Sequence, residues 1–165
     1  MSITEMTLRP INIEDGSLVL DWRNSPAIRG VMSDQSAISD SDHEIWLEKT
    51  IRDSTRIALL VLERETPVGF VQFHLLGPEV AEWGFYKSPS ARQGLGRAIC
   101  LAGISWCRDN LTVSTIIAKV IQTNEVSLGL HTSLGFKLIS ETQWTELSGE
   151  SGVPDGHSVF KMELI

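Results

Sequence analysis

The sequence predicts a mixed α/β fold of the α+β type, with a twisted mixed sheet of about seven strands covered by about four helices. Three observations support this prediction. Apolar and β-branched runs of strand length alternate with longer stretches of helical periodicity, two strand-like runs near the middle are joined by a short turn, and no repeat or linker interrupts the series. Because 165 residues suffice for one hydrophobic core, we expect a single domain over residues 1–165.

The N-terminal third combines one strand with helical segments. Pro26 interrupts the first helical pattern, since proline lacks the amide hydrogen that a helix interior needs. Ser39 and the aspartates after it are typical of a helix start. The expected elements are a strand over residues 4–10, a helix over 14–25, a short helical piece reaching residue 32, and a helix from about 39 to 52.

The middle of the chain holds three strand patterns, over residues 56–63, 68–76 and 80–86. Side chains alternate between the two faces of a strand. Phe70, Gln72 and His74 therefore share one face of the second strand. Glu82 and Tyr86 share one face of the third strand.

The C-terminal half alternates strands and helices. Gly135 marks the end of one helical pattern, because glycine adopts the left-handed conformation that closes many helices. The expected elements are a helix from the glycine-rich segment near 94 to about 109, a strand over 115–121, a helix over 125–134, a segment over 136–147 that begins as a strand, a loop over 148–156 and a final strand over 157–164. An exposed final strand would offer an edge through which a homodimer pairs.

Composition and charge exclude several classes of partner. Fourteen basic residues against 21 acidic ones give a formal net charge of −7, and the basic stripe of a nucleic-acid binder is missing. The apolar runs are too short to span a bilayer, and the N-terminal residues do not have the pattern of a signal peptide. We therefore expect neither a nucleic-acid nor a membrane partner.

The cysteines and histidines add two expectations. Cys100 and Cys107 lie about 10 Å apart along one predicted helix, beyond disulfide reach, which favours the reducing cytoplasm. His43 and Glu44 begin a pattern typical of zinc peptidases, but Leu47 stands where the second histidine is required. We therefore expect no metal site.

The segment ARQGLGRAI, residues 91–99, is typical of a phosphate-binding turn before a helix. Gly94 and Gly96 allow the backbone amides to approach a phosphate closely, and Arg92 and Arg97 add positive charge. The segment has neither the lysine of a P-loop nor the third small residue of the dinucleotide fingerprint. Taken alone, the glycine pair also fits an ordinary turn.

A second segment, TNEVSLGLHTSLGF at residues 123–136, gives the loop a specific interpretation. An asparagine opening a helix that ends in leucine-glycine-phenylalanine, after a glycine loop, resembles the GNAT N-acetyltransferase superfamily, and the order of elements resembles its fold over nearly the whole chain. Ala91 departs from the usual glutamine or arginine. The resemblance implies acetyl-CoA as cosubstrate, with the pantetheine along the strand that ends at residue 86. The residues implied to bind it are Phe85, Tyr86, Arg92, Gln93, Gly94, Leu95, Gly96, Arg97 and Asn124.

The acceptor is suggested by the segment DWRNSPAIRGVM, residues 21–32, which resembles two branches of the family. One branch acetylates protein N-termini of the ribosomal-protein type, and the other acetylates amino sugars carried on a nucleotide. Met32 and the segment GFYKSP, residues 84–89, are closer to the sugar branch. This resemblance implies acetylation of the 4-amino group of a UDP-linked 4-amino-4,6-dideoxy sugar, in pseudaminic acid biosynthesis for flagellin glycosylation. The implied acceptor residues are Arg23, Met32, His43, Trp46 and His74.

Met32 and Trp46 would form an apolar pocket for the 6-methyl group, and basic side chains would meet the UDP phosphates or sugar hydroxyls. Two other interpretations remain open. The chain acetylates a protein N-terminus, or it binds acetyl-CoA without catalysis. The tryptophans also fit ordinary core positions, and His74 also fits a structural hydrogen-bonding group.

Acetyl transfer to an amine needs a proton acceptor and a leaving thiolate. Glu82, on the strand expected beside the thioester, is the candidate acceptor, directly or through water because a carboxylate with a pKa near 4 is a weak base. His131 occupies the place where the family often has a tyrosine that protonates the thiolate. Lys119 stands where the sugar branch can carry a glutamate, and if its side chain points into the cleft, the assignment of the base moves further toward Glu82. Two structural alternatives remain open: Glu82 is a charged residue at the edge of a strand, and Asn124 is the N-cap of a helix.

Overall fold

The computed structural model describes residues 5–32 and 34–164. Seven strands are found in this part of the chain: β1 (Met6–Pro10), β2 (Arg56–Glu63), β3 (Thr66–Leu75), β4 (Val80–Lys87), β5 (Thr115–Ile121), β6 (Lys137–Leu138) and β7 (His157–Glu163). Its six α-helices are α1 (Gly16–Asn24), α2 (Pro26–Arg29), α3 (Asp40–Arg52), α4 (Leu95–Asn110), α5 (Glu125–Leu134) and α6 (Glu141–Ser148). A 3-10 helix, Ile13–Asp15, precedes α1. The mixed fold is therefore confirmed.

The strands form one mixed sheet in the order β1-β2-β3-β4-β5-β7-β6. β4 and β5 are parallel, whereas β5 and β6 are both antiparallel to β7. The register of β4 with β5 extends only from Val80 opposite Thr115 to Glu82 opposite Ile117, while β5 stays paired with β7 as far as Ile121. In the described residues, the pairing of β4 with β5 thus ends at Glu82.

Contacts divide the chain into two compact units. Among the described residues, the first unit comprises 5–32, 34–72 and Phe85–Ile104, and the second comprises Phe73–Gly84 and 105–164. In the first unit, α1, α2 and α3 pack their apolar side chains around Leu60 and Phe70. In the second unit, the fully buried Trp144 of α6 packs on Ile117 of β5 and its neighbours.

Capping residues account for the helix boundaries that the sequence predicted well. The hydroxyl of Ser39 accepts the amide hydrogen of Asp42 at the start of α3. Asn124 caps α5 by accepting from the amide of Ser127, and Gly135 closes that helix at a φ of 102°. These ends are encoded by local chemistry and therefore could be predicted without tertiary information.

The C-terminal region corrects two predictions. The segment over 136–147 is not mainly a strand, because only Lys137–Leu138 is extended and α6 follows. Ser140 and Gln143 form a reciprocal capping box that starts this helix, a signature that is present in the sequence. The final strand is not an edge either, since β7 lies between β5 and β6. β6 pairs with β7 only at Lys161 and Phe160, and the homodimer itself stays a prediction.

The other differences are at boundaries. The helix expected over 14–25 is a 3-10 turn followed by α1, because Asn12 caps the turn and the backbone changes geometry at Gly16. β3 begins at Thr66 because the turn before it needs only two residues. The count of six helices exceeds the expected four or so: α2 corresponds to the short helical piece expected to reach residue 32, and α6 was not expected. The start of the first strand at residue 4 lies outside the described residues.

Candidate active site

A cavity of about 390 Å³ in the first unit brings together four of the five predicted acceptor residues. Arg23, Met32, His43 and Trp46 all line it, whereas His74 is not among the lining residues. The remaining lining residues are Val19, Asp34, Ser36, Ala37, Ile38, Asp42, Phe70, Gln72 and Tyr86. The cavity lies within the size range typical of small-molecule sites.

Arg23 is the cation of this cavity. Its Nη2 donates to the backbone carbonyl of Asp34 at 2.8 Å, while its Nη1 is buried and has no hydrogen-bond partner among the described residues. A buried guanidinium N–H without a partner is costly. Arg23 is therefore ready to donate to an acceptor group of a bound ligand, such as a phosphate oxygen.

His43 is held in a defined orientation. It is 6% exposed, its Nε2 donates to the backbone carbonyl of Gly16 at 2.9 Å, and its ring stacks on Trp46 with centroids 5.3 Å apart. When the ring is neutral, a hydrogen on Nε2 leaves Nδ1 as an acceptor. A ligand hydroxyl or amine is the kind of donor that such an acceptor recognises.

Aromatic rings form the apolar wall of the cavity. The ring centroids of Trp46 and Phe70 are 6.2 Å apart. Phe70 stacks on Tyr86 with ring centroids 5.1 Å apart. Met32 packs against the same cluster. Burial raises the pKa of the Tyr86 hydroxyl, which keeps it protonated as a hydrogen-bond donor, and the charge of Arg23 opposes this shift.

The glycine loop that the sequence predicts as the pyrophosphate site of acetyl-CoA lies in the first unit. Gly94 has a φ of +86°, a conformation that favours glycine, and no atom lies within 4 Å of the place where its Cβ would be. Leu95 begins α4 and is 2% exposed, so it anchors the loop while Gln93 and Arg97 are exposed. The first amides of a helix have no partner within the helix and bind anions readily.

Close packing places α4 beside the strands that precede the loop. A Cβ at Gly69 of β3 would lie 2.7 Å from Cδ1 of Ile99 and 3.0 Å from the backbone oxygen of Tyr86. Sequence reasoning missed Gly69, although a glycine inside a strand pattern indicates a close approach of backbone or helix.

Arg92 has a partner that the sequence did not suggest. It forms an ion pair with Glu63 at the end of β2, and this hydrogen bond is the main cause that lowers the pKa of the Glu63 carboxyl. The predicted phosphate contact of Arg92 would therefore have to be shared with Glu63.

The predicted base lies in the second unit, where a lysine accompanies it. Glu82 is partly buried on β4, and its Oε2 is 3.6 Å from Nζ of Lys119 on β5. Nζ of Lys119 is also 3.5 Å from Oε1 of Glu150. The register of β4 with β5 includes Glu82 as its last pair, opposite Ile117, and the position of pantetheine along β4 stays a prediction.

His131 is buried at 3% exposure in the second unit. The indole Nε1 of Trp83 donates to its Nε2 at 3.2 Å, and its Nδ1 donates to the carbonyl of Ser127 at 2.8 Å. Burial lowers the pKa of His131, and the hydrogen bond with Ser127 partly opposes this shift. The lowered pKa favours the neutral ring. Its one N–H already donates to Ser127, so these hydrogen bonds do not favour donation of a proton to the thiolate, and that role stays a prediction. The side chain of Asn124 is used as the cap of α5.

The segment between α2 and α3 and the first turn of α3 supply cavity residues that sequence reasoning missed. Asp34 and Ser36 belong to an irregular stretch, and Asp42 lies in the first turn of α3. None of them has a periodic signal, because their approach to the cavity depends on tertiary packing. In the described residues no group of three or more histidine, cysteine, aspartate or glutamate side chains is suited to a metal ion. The helices found in the same residues do not combine the length and the hydropathy of a membrane span.

Comparison with known proteins gives a consistent result. Residues 5–137 match the family model described as Acetyltransferase (GNAT) domain. A relative named Acetyltransferase PseH, from Campylobacter jejuni subsp. jejuni serotype O:23/36 (strain 81-176), is 28% identical over 131 residues, which cover 79% of this chain and 82% of the relative.

Solved structures extend the similarity to nearly the whole chain. The crystal structure of Campylobacter jejuni N-acetyltransferase PseH in complex with acetyl coenzyme A gives a TM-score of 0.73 at 20% identity, covering 98% of this chain and 100% of that one. Spermidine N-acetyltransferase from Vibrio cholerae, in complex with CoA and spermine, gives 0.76 at 18% identity, covering 96% and 94%. These likenesses show a shared fold.

Proposed function

This chain belongs to the GNAT family of acetyltransferases and is an acetyl-CoA-dependent N-acetyltransferase, and from that premise we propose that its acceptor is the 4-amino group of a UDP-linked 4-amino-4,6-dideoxy sugar. The reaction would serve pseudaminic acid biosynthesis and flagellin glycosylation, and it would take place in the cytoplasm. The observation that carries the proposal is the cavity in which Arg23, Met32, His43 and Trp46 converge.

The chemistry of the cavity suits a deoxy amino sugar on a diphosphate. Met32 and the aromatic wall offer an apolar surface for the 6-methyl group of the sugar. Arg23 has a buried Nη1 to donate to a phosphate oxygen, and His43 presents an acceptor to a hydroxyl or amine. Asp34 and Asp42 add carboxylates suited to the hydroxyl and ammonium groups of an amino sugar.

Acetyl-CoA supplies the acetyl group as a thioester. The acceptor amine loses a proton and attacks the carbonyl carbon, a C–N bond forms, the C–S bond breaks, and CoA leaves as a thiol or thiolate. We assign the removal of the amine proton to Glu82, directly or through one water. The amides of β4 beyond Glu82 would donate to the carbonyl oxygen, where negative charge develops in the transition state.

The proposal is tested by identifying the product. With acetyl-CoA and UDP-4-amino-4,6-dideoxy-β-L-AltNAc as substrates, we expect NMR to show a new amide at N4 of the sugar and no other acetylated position. We expect UDP alone to compete with the sugar and not with acetyl-CoA. Acetylation at another position, or the absence of competition by UDP, would contradict the assigned acceptor.

A further inference from the structure

Lys119 lies at the centre of a charged cluster in the second unit. Its Nζ is 3.6 Å from Glu82, 3.5 Å from Glu150 and 5.9 Å from the centroid of the Trp144 ring. The Trp144 indole is fully buried and donates to Oε2 of Glu150 at 3.2 Å. The ammonium group of Lys119 therefore lies over an aromatic ring and between two carboxylates.

The partners in this cluster are not equally exposed. The side chain of Glu82 is 19% exposed, against 31% for Lys119 and 43% for Glu150. An ion pair is screened less by salt and water as its groups become buried, so the charge of Lys119 acts most strongly on Glu82. A cation within 4 to 6 Å of a carboxylate favours its ionised form.

We propose that Lys119 is a positioning residue for catalysis, which holds the carboxylate of Glu82 ionised and fixed so that it can take the proton of the acceptor amine. This inference rests on the assignment of Glu82 as the base in the proposed function. Glu150, itself oriented by Trp144, holds Lys119 from the other side and limits how firmly the ammonium binds Glu82.

Other ionisable groups belong to the elements packed around this cluster. β7 carries Lys161 opposite Ile117 and His157 opposite Ile121, α6 carries Glu141 and Glu146, and Asp155 follows in the next loop. Lys161 is paired with Glu163 at 3.3 Å. Among the described residues, Glu82 and Glu150 are the carboxylates within 4 Å of the Lys119 ammonium.

The test compares pH–rate profiles of K119M, K119R and K161M. We expect K119M to move the acidic limb of the kcat profile to higher pH by about one unit, so that kcat below that limb falls roughly tenfold. KM for acetyl-CoA should not change, and K119R should restore the profile. K161M is the matched control, because Lys161 is also ion-paired and is 29% exposed on the neighbouring strand.

A double-mutant cycle separates this inference from the assignment of the base. We expect E82Q to reduce turnover strongly and K119M to have little further effect in the E82Q background. If E82Q lowers turnover but K119M leaves the profile unchanged, or shifts it no more than K161M does, the inference is wrong and the proposed base stands. If E82Q turns over normally, the proposed base itself is wrong.

Discussion

Arg23 offers the clearest single-residue test of the acceptor cavity. Its buried Nη1 awaits an acceptor, so replacement by methionine should remove a charge-assisted hydrogen bond to the nucleotide sugar. Such a bond contributes about 1.5–3 kcal/mol, and we therefore expect R23M to raise KM for the sugar roughly 10- to 100-fold. KM for acetyl-CoA should not change.

Steady-state kinetics on R23M and R29M check this expectation. Arg29 is also helical and bonded to a nearby carbonyl, that of Gln35, but it does not line the cavity. R29M should therefore behave like the unmodified protein. A similar rise of KM in both variants would mean that Arg23 acts on the structure of the segment and not on the ligand.

His131 gives a prediction about stability and pH. Its folded-state pKa is lowered by burial, so the unfolded chain takes up this proton more readily than the folded protein. Well above the ordinary histidine pKa of about 6.5, this group does not change the free energy of unfolding. As the pH falls below that value, the free energy of unfolding decreases until the ring in the folded protein also becomes protonated. The loss is at most about 1.4 kcal/mol for each pH unit.

Urea unfolding at about pH 7.5, 6.5 and 5.5 measures this loss. We expect H131Q, which keeps an acceptor for the Trp83 indole, to flatten the decline. The carboxyl of Asp15, whose pKa is lowered mainly by its hydrogen bond with Arg9, would affect stability only at more acidic pH. An unchanged slope in H131Q would show that the histidine is not the source of the decline.

Single residues of the site were predictable to different degrees. Arg23 and Trp46 were identified from motif residues on α1 and α3, and the structure places both at the cavity. Asp34 was not identified, since it lies in an irregular stretch whose path depends on contacts with other elements. His74 was named with the residues implied by the resemblance, and strand alternation gave only the face of the strand on which it lies; it is not among the residues that line the cavity.

At the scale of elements, the loop before α4 should tolerate no side chain at Gly94. The φ of +86° costs an alanine about 1–3 kcal/mol of backbone strain, so we expect G94A to weaken acetyl-CoA binding roughly fivefold or more. Calorimetric titration of acetyl-CoA measures this change. G129A is the matched control, because Gly129 lies within α5 with open space around it and should gain about 0.5–1 kcal/mol of stability with unchanged binding.

Elements defined by local chemistry could be predicted, and those defined by tertiary contacts could not. α3 and α5 have capping residues and a clear helical pattern, and their predicted bounds agree with the structure. α6 was missed because the segment over 136–147 was interpreted only from its strand-like beginning, and the capping box of Ser140 and Gln143 was not recognised. The point at which the pairing of β4 with β5 ends could not be predicted from neighbouring residues, because it depends on how two strands that are distant in sequence pair.

At the scale of the whole molecule, the fold identifies acetyl-CoA as the acetyl donor but does not identify the amine that accepts the acetyl group. The same GNAT fold is found in proteins named for different acceptors, including the spermidine enzyme of Vibrio cholerae. The cavity in the first unit of this chain contains one arginine, one histidine and an aromatic wall. Substrate choice is therefore expected to follow the side chains of this cavity and not the sheet.

The most direct test of this account is the initial rate of thiol release from acetyl-CoA, measured with UDP-4-amino-4,6-dideoxy-β-L-AltNAc and, in parallel, with a panel of N-terminal peptides. We predict rapid release with the nucleotide sugar and a rate equal to the background with every peptide. Release with peptides alone would keep the acetyl-CoA loop and the fold, and would contradict the acceptor assigned to Arg23, Met32, His43 and Trp46.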